Sequence, residues 1–124
     1  MSNEDKTILV VDDELGILKL TKTVLESRGY KVMATDDVVE AISLYQANHS
    51  RINAVLLDMK MPAMSGIEVY QKMKTIDSNI NAVVMSGYCN ETPEYILSLG
   101  VKAFVKKPWG IEDLVSAIDE IVND

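Results

Sequence analysis

Short apolar runs alternate along this chain with segments of helical spacing, and this alternation strongly limits the folds open to it. Four runs are apolar at successive positions rather than at every second one: residues 8–11, 54–57, 82–85 and 103–105. Such runs are typical of strands whose two faces are both covered. A weaker run at residues 31–34 predicts a half-exposed edge strand.

The segments between these runs carry apolar residues at i, i+3, i+4 and i+7, the spacing of one helix face. The clearest stripe starts at Ile111 and continues to Val122. Residue types that favour helix ends stand at the borders of the helical segments: Asp37 with Glu40, Ser65 with Glu68, Thr92 before Pro93, and the glycines Gly29 and Gly100. The chain therefore predicts helices that alternate with strands throughout.

Alternating strands and helices require right-handed crossovers, which build a parallel sheet with helices on both faces. Five strands favour the order 2-1-3-4-5, so we predict an α/β fold, a flavodoxin-like doubly wound (βα)5 sandwich. The sequence shows no repeat and no linker rich in proline or glycine, and residues 1–124 are expected to form a single domain. Ligands of such a sheet bind beyond the carboxyl ends of the strands, at the switch in strand order.

Composition and charge argue against several kinds of partner. With a net charge of −7, the surface would repel the phosphates of nucleic acids, so direct binding to DNA or RNA is not expected. The apolar runs are too short to span a bilayer, and the first residues are acidic and polar where a secretory signal would be basic and then apolar. Cys89 is the only cysteine, which excludes an internal disulfide. We expect a cytoplasmic protein without a membrane partner.

Polar residues with complementary chemistry follow four of the predicted strands. Strands 1, 3, 4 and 5 are neighbours in the predicted order, so the residues after them should meet in one crevice: Asp12-Asp13, Asp58, Ser86-Gly87 and Lys106-Lys107. Two carboxylates ~5 Å apart repel by roughly 3 kcal/mol at an effective dielectric constant of ~20. A shared proton, a lysine or a hard divalent cation would relieve this repulsion, and oxygen ligands alone favour Mg²⁺ or Mn²⁺.

The same residues have the chemistry that phosphoryl transfer needs. A carboxylate can act as a nucleophile and form an aspartyl phosphate. A cation, a lysine for the phosphoryl oxygens and a hydroxyl donor complete the set, and Asp58, the acidic pair, Lys107 and Ser86 supply these groups. The pair Asp12-Asp13 could instead cap the first helix, a role that is compatible with metal binding.

Four fragments, "VVDDE", "LLDMKMPAMSG", "VVMSGY" and "FVKKPW", occur in this order at the predicted strand ends. Together they resemble the receiver domain of two-component response regulators, over essentially the whole chain. The resemblance implies that Asp58 accepts a phosphoryl group from a phosphohistidine of a sensor histidine kinase or a histidine phosphotransfer protein. It also implies a signalling switch that catalyses only its own phosphorylation and dephosphorylation.

The resemblance further assigns roles to individual residues. Asp13, Asp58 and the backbone carbonyl of Lys60 would bind Mg²⁺ directly, and Asp12 would act through a water. Ser86 matches the switch hydroxyl, Lys107 the phosphate-contacting lysine, and Phe104 the aromatic that couples phosphorylation to an output face over residues 91–122. That face would signal an output domain, a protein partner or a second copy in a phosphorylation-linked homodimer. The peptide bond before Pro108 would be cis.

Two variable positions of the family bear on the lifetime of the phosphoryl group. Lys60 and Tyr88 stand two residues after Asp58 and after Ser86, respectively. The resemblance implies that these positions control how readily water attacks the acyl phosphate. Because a long lysine and a bulky tyrosine would shield the phosphorus, we predict slow self-dephosphorylation.

Three other functions suit a similar fold. A flavodoxin-like FMN binder needs a phosphate cradle rich in Ser, Thr or Gly after strand 1, where this chain has Asp12-Asp13-Glu14. A haloacid-dehalogenase-like phosphatase places a second acid two residues after its nucleophile, and that position is Lys60 here. A phosphorylation-independent interaction module would not require the full set of acids, hydroxyl and lysine.

Overall fold

The computed structural model describes residues 5–87, 92–107 and 110–123. The predictions for Tyr88, Cys89 and the bond before Pro108 lie outside these residues. Strands and helices alternate along the chain as predicted: β1 (Thr7–Val11), α1 (Leu15–Ser27), β2 (Lys31–Thr35), α2 (Val38–Asn48), β3 (Ala54–Asp58), α3 (Gly66–Ile76), β4 (Ala82–Ser86), α4 (Pro93–Ser98), β5 (Ala103–Lys106) and α5 (Ile111–Val122).

The sheet is parallel and its strand order is β2-β1-β3-β4-β5, which confirms the predicted topology. Every residue of β3 and β4 is buried. β2 is mostly half-exposed, as its weaker apolar pattern predicted. β5 differs from the expectation, because Ala103 and Phe104 are only half-buried; this strand forms the second edge and has a neighbouring strand on one side only.

Side chains of each central strand alternate between two cores, one on either face of the sheet. From β1, Leu9 and Val11 enter the core that α2, α3 and α4 cover, whereas Ile8 and Val10 enter the core beneath α1 and α5. This division explains the successive apolar positions of the sequence, since a strand covered on both faces exposes neither set. The fold is therefore the doubly wound sandwich that was predicted.

The predicted helix boundaries are present in the structure. The Asp37 side chain accepts hydrogen bonds from the amides of Val39 and Glu40, and Ser65 and Glu68 form a reciprocal capping box. Thr92 Oγ1 likewise accepts the Tyr95 N–H. Gly29 and Gly100 have φ angles of 94° and 107°, in the left-handed region where a side chain is unfavourable.

Within the described ranges, no helix combines the length and the apolar character that a membrane span requires.

Candidate functional site

The carboxyl ends of the four neighbouring strands lie level with one another. In the register of the sheet, Val11 pairs with Leu57, Asp58 with Met85, and Ser86 with Lys106. The residues that follow β1 and β5 and those that end β3 and β4 therefore reach the same edge. This arrangement brings together the side chains that the sequence placed in one crevice.

Asp12, Asp58 and Ser86 are buried at this edge, with exposed fractions of 0%, 4% and 3%. Burial of a carboxylate is costly unless a positive charge or hydrogen bonds compensate for lost water. Part of the compensation is local, because Asp12 Oδ1 accepts the backbone N–H of Glu14 at 2.9 Å. The same bond fixes the chain at the start of α1, so Asp12 serves both the helix start and the site.

Lys107 provides the positive charge that the acids require. Its Nζ lies 3.1 Å from Asp12 Oδ2 and 3.4 Å from Asp58 Oδ1. A third carboxylate oxygen, Glu14 Oε1, lies at 3.8 Å. The backbone N–H of Lys107 also donates to the Ser86 carbonyl at 2.8 Å, which holds the ends of β4 and β5 together and keeps the ammonium over the acids.

The protonation of Asp58 depends on this environment. Burial and then the negative charge of Asp12 raise the pKa of the Asp58 carboxyl, Lys107 acts in the opposite direction, and the pKa that results is about 6. A hydrogen bond with the Asp13 side chain also favours the protonated form. A carboxylate of this pKa is ionised at neutral pH and more basic than an exposed aspartate, which favours its use as a nucleophile.

The pKa of the Lys107 ammonium is shifted as well. Burial by itself would lower this pKa, but the hydrogen bonds and charges of Asp12 and Asp58 outweigh it and leave the pKa raised. Lys107 therefore stays charged at neutral pH and is available to a phosphoryl oxygen.

Three carboxylate oxygens, from Asp12, Glu14 and Asp58, lie within 4.8 Å of one another. An oxygen-only set of this kind fits a hard divalent cation such as Mg²⁺, so the donors present suit the metal that the sequence predicted. Asp13 is half-exposed and lies close enough to Asp58 to raise the pKa of that carboxyl; its direct coordination of a metal stays a prediction. Glu14 was not predicted as a site residue, and its only signal in the sequence was its position directly after the acidic pair.

Two of the remaining predicted residues lie on segments next to this centre. Lys60 is exposed in the loop that follows β3. Phe104, on the edge strand β5, packs against the core on the side of α2, α3 and α4. The roles of Ser86, Phe104 and the Lys60 carbonyl stay predictions.

Comparison with known proteins confirms the family that the sequence fragments resemble. The family model for the response regulator receiver domain matches residues 8–119. The chain is 34% identical over 119 residues to the sporulation initiation phosphotransferase F of Bacillus subtilis (strain 168), covering 95% of this chain and 93% of that protein. It is also 34% identical over 117 residues to the response regulator SaeR of Staphylococcus aureus (strain USA300), covering 94% of this chain but 50% of SaeR. The chain thus spans half the length of that relative.

Solved structures agree with the sequence relatives. A response regulator receiver domain protein from Clostridium thermocellum superposes with a TM-score of 0.91 at 29% identity, covering 95% of this chain and 94% of that one. The CheX-CheY-BeF3-Mg+2 complex from Borrelia burgdorferi gives a TM-score of 0.87 at 25% identity, covering 94% and 88%. The chain belongs to the response regulator receiver domain family, the signalling switches of two-component systems.

Proposed function

We propose that Asp58 accepts a phosphoryl group from a phosphohistidine of a sensor histidine kinase or a histidine phosphotransfer protein, in a reaction that depends on Mg²⁺ or Mn²⁺. The observation that carries this proposal is the position of Asp58: a buried carboxylate at a strand end with Lys107 Nζ 3.4 Å away. A structural ion pair alone would not require the additional carboxylates of Asp12 and Glu14 beside it.

The reaction follows from these groups. An Asp58 carboxylate oxygen attacks the phosphorus, the P–N bond of the phosphohistidine breaks, and its electron pair returns to the imidazole, which takes up a proton. The product is an acyl phosphate on Asp58. Lys107 neutralises charge on the transferred group, and the Ser86 hydroxyl donates to one of its oxygens.

The acids and the Lys60 backbone carbonyl would hold the metal. In this proposal Asp13, Asp58 and that carbonyl bind directly, and Asp12 binds through a water. When bound, the cation supplies positive charge that lowers the repulsion between the acids and an incoming phosphoryl group. The similar Borrelia protein was crystallised with Mg²⁺ and beryllofluoride, which supports this metal for the present chain.

Phosphorylation would then change the surface formed by α4, β5 and α5. Ser86 and Phe104 are proposed to couple phosphorylation of Asp58 to that surface. Ser86 ends β4 beside Asp58, and Phe104 lies on the neighbouring strand β5. The partner that binds this surface would be an output domain, a separate protein or a second phosphorylated copy. The Borrelia relative is named as a complex with CheX, which supports a protein partner. A cytoplasmic location stays a prediction.

The proposal is tested with acetyl phosphate, a small phosphoryl donor, and Mg²⁺. Intact-protein mass spectrometry should detect a phosphorylated wild-type protein and a phosphorylated Asp36→Asn control, which changes an exposed acid after β2. Asp58→Ala should remain unmodified. Fluorescence of Trp109, the only tryptophan, should change on addition of the donor in wild type but not in Asp58→Ala. Equal modification of wild type and Asp58→Ala would exclude Asp58 as the acceptor, and an unmodified wild type would favour the phosphorylation-independent module.

A further inference from the structure

Glu14 stands at the start of α1, but its side chain does not cap the helix. It occupies the N-cap position, and its side chain makes no capping hydrogen bond to the first-turn amides, all of which the structure describes. Its own N–H donates to Asp12 Oδ1 at 2.9 Å. The backbone of Glu14 is therefore held by Asp12 and by the Leu18 N–H, which donates to the Glu14 carbonyl at 2.9 Å. Its carboxylate takes no part in capping the helix.

That carboxylate is directed toward the site. Glu14 Oε1 lies 3.8 Å from Lys107 Nζ, and a Glu14 oxygen lies within 4.8 Å of oxygens of Asp12 and Asp58. The side chains differ sharply in exposure: 65% for Glu14 against 0% for Asp12 and 5% for Asp58. Glu14 is thus the solvent-facing member of the carboxylate set, at the entrance to the buried acids.

A negative charge at this position has two opposite consequences. It strengthens the attraction of the site for a cation, because all nearby carboxylates add to the local potential. It also opposes the approach of an anionic phosphoryl donor, and it offers Lys107 a third anionic partner in the unphosphorylated protein. Solvent screening keeps both effects moderate.

We propose that Glu14 is a positioning residue of this site that strengthens divalent-cation binding and slows phosphoryl uptake. It acts through the cation and through Lys107, not through contact with the reacting atoms. The inference has a rate component, the effect of Glu14 on phosphoryl uptake, and a cation component, its effect on divalent-cation binding. Only the rate component rests on the proposed function. The cation component concerns the unphosphorylated protein and stands independently of phosphoryl transfer.

The test compares Glu14→Gln with wild type in two measurements. Isothermal titration calorimetry with Mg²⁺ should give a Kd about three- to tenfold higher for Glu14→Gln, because one exposed negative charge is lost. Phosphorylation by acetyl phosphate at saturating Mg²⁺ should be about two- to fivefold faster, because that charge no longer repels the donor or holds Lys107. Glu14→Asp keeps the charge on a shorter side chain and should lie closer to wild type than Glu14→Gln does in both measurements.

Glu26→Gln is the matched control, since it removes an exposed charge from the same helix on a residue outside the site. It should leave both quantities at wild-type values. The inference is overturned if Glu14→Gln matches Glu26→Gln, or if its metal affinity and its phosphorylation rate fall together, as a disturbed site would produce.

The two proposals fail in different ways. A phosphorylated wild type with an unaltered Glu14→Gln variant overturns only the inference about Glu14. A wild type that binds Mg²⁺ but takes up no phosphoryl group overturns the proposed function and the rate component with it, whereas calorimetry still decides the cation component.

Discussion

Gly66, the first residue of α3, lies against the backbone of Asp58, the last residue of β3. A Cβ at position 66 would stand 2.5 Å from the Asp58 carbonyl oxygen and 3.1 Å from Met59 Cα. The Gly66 N–H also donates to the Met59 carbonyl at 3.0 Å. Because the neighbours are backbone atoms, they cannot move aside without displacing the strand end that carries the phosphoacceptor candidate.

Gly66→Ala should therefore destabilise the fold and disturb the site together. We expect a loss of about 2 kcal/mol or more in the free energy of unfolding, since an overpacked contact with backbone must be relieved by a shift. Urea denaturation measures this loss. The control is Gly16→Ala in α1, where nothing lies within 4 Å of the added Cβ; it should leave stability unchanged or raise it by up to about 1 kcal/mol. If Gly66→Ala and Gly16→Ala changed the free energy of unfolding equally, the close contact between Gly66 and the Asp58 backbone would be contradicted.

The raised pKa of Asp58 predicts how stability depends on pH. Because the folded-state pKa is about 6 and the usual value is 3.8, the folded protein binds a proton that the unfolded chain does not between these values. The ionised carboxylate thus costs stability at pH 7, and the cost disappears as pH falls through 6 toward 4. In the absence of metal, Asp58→Asn should be more stable than wild type by about 2 kcal/mol at pH 7.

Thermal or urea unfolding of both proteins in EDTA, from pH 7 to pH 4, checks this prediction. The stability difference between Asp58→Asn and wild type should shrink over that range. The exposed Asp36→Asn variant should show no such trend. A difference that is constant with pH, or that grows as pH falls, would show that the pKa of Asp58 is not raised.

Mg²⁺ should stabilise the wild-type protein by binding to the acidic residues of the candidate site. At a free Mg²⁺ concentration ten times Kd, the expected gain in the free energy of unfolding is about 1.4 kcal/mol. The gain should fall as pH drops through about 6, because protonated Asp58 is a poorer ligand. Differential scanning calorimetry with and without Mg²⁺ at pH 7.5 and pH 5 measures both effects. Asp12→Asn should show a smaller gain at pH 7.5, and an undiminished gain would place the cation elsewhere.

A partly buried hydrogen bond joins two distant parts of the chain. The Tyr30 hydroxyl, just before β2, donates to Asp119 Oδ1 on α5. Burial and Asp119 raise the pKa of Tyr30 well above its usual value, so the phenol remains a donor at all neutral pH values. Tyr30→Phe should cost about 1 kcal/mol of stability in urea denaturation. Tyr95→Phe, on the exposed side of α4, should cost nothing, and a neutral Tyr30→Phe would show that the bond contributes little.

The lifetime of the phosphoryl group on Asp58 is predicted to depend on Lys60 and Tyr88. A Lys60→Asn, Tyr88→Glu double variant should lose its phosphoryl group several times faster than wild type, because smaller and acidic side chains would let water reach the phosphorus. Decay is followed by mass spectrometry after removal of acetyl phosphate. Equal decay of the two proteins would exclude shielding by these residues.

Much of the fold could be predicted because its signals are local. The apolar runs of β1, β3 and β4 and the helix-end residues such as Ser65 and Gly100 act over a few positions, and each matched an observed element. Strand order followed from the number of strands, since a doubly wound sheet of five strands favours the order 2-1-3-4-5. Given that order, the meeting of Asp12, Asp58 and Lys107 was also predictable, because carboxyl ends of parallel strands share one edge.

Other features depended on contacts that no local pattern encodes. The sequence of β5 resembles that of a central strand, and only its place at the sheet edge leaves Phe104 half-exposed. Glu14 looked like one more acid until the position of Lys107, 93 residues away in the chain, gave its carboxylate a partner. The sequence by itself determined the strands and helices and the chemical groups that follow the strands, whereas tertiary structure decided distances, burial and the pKa of Asp58, because those quantities depend on atoms that only folding brings together.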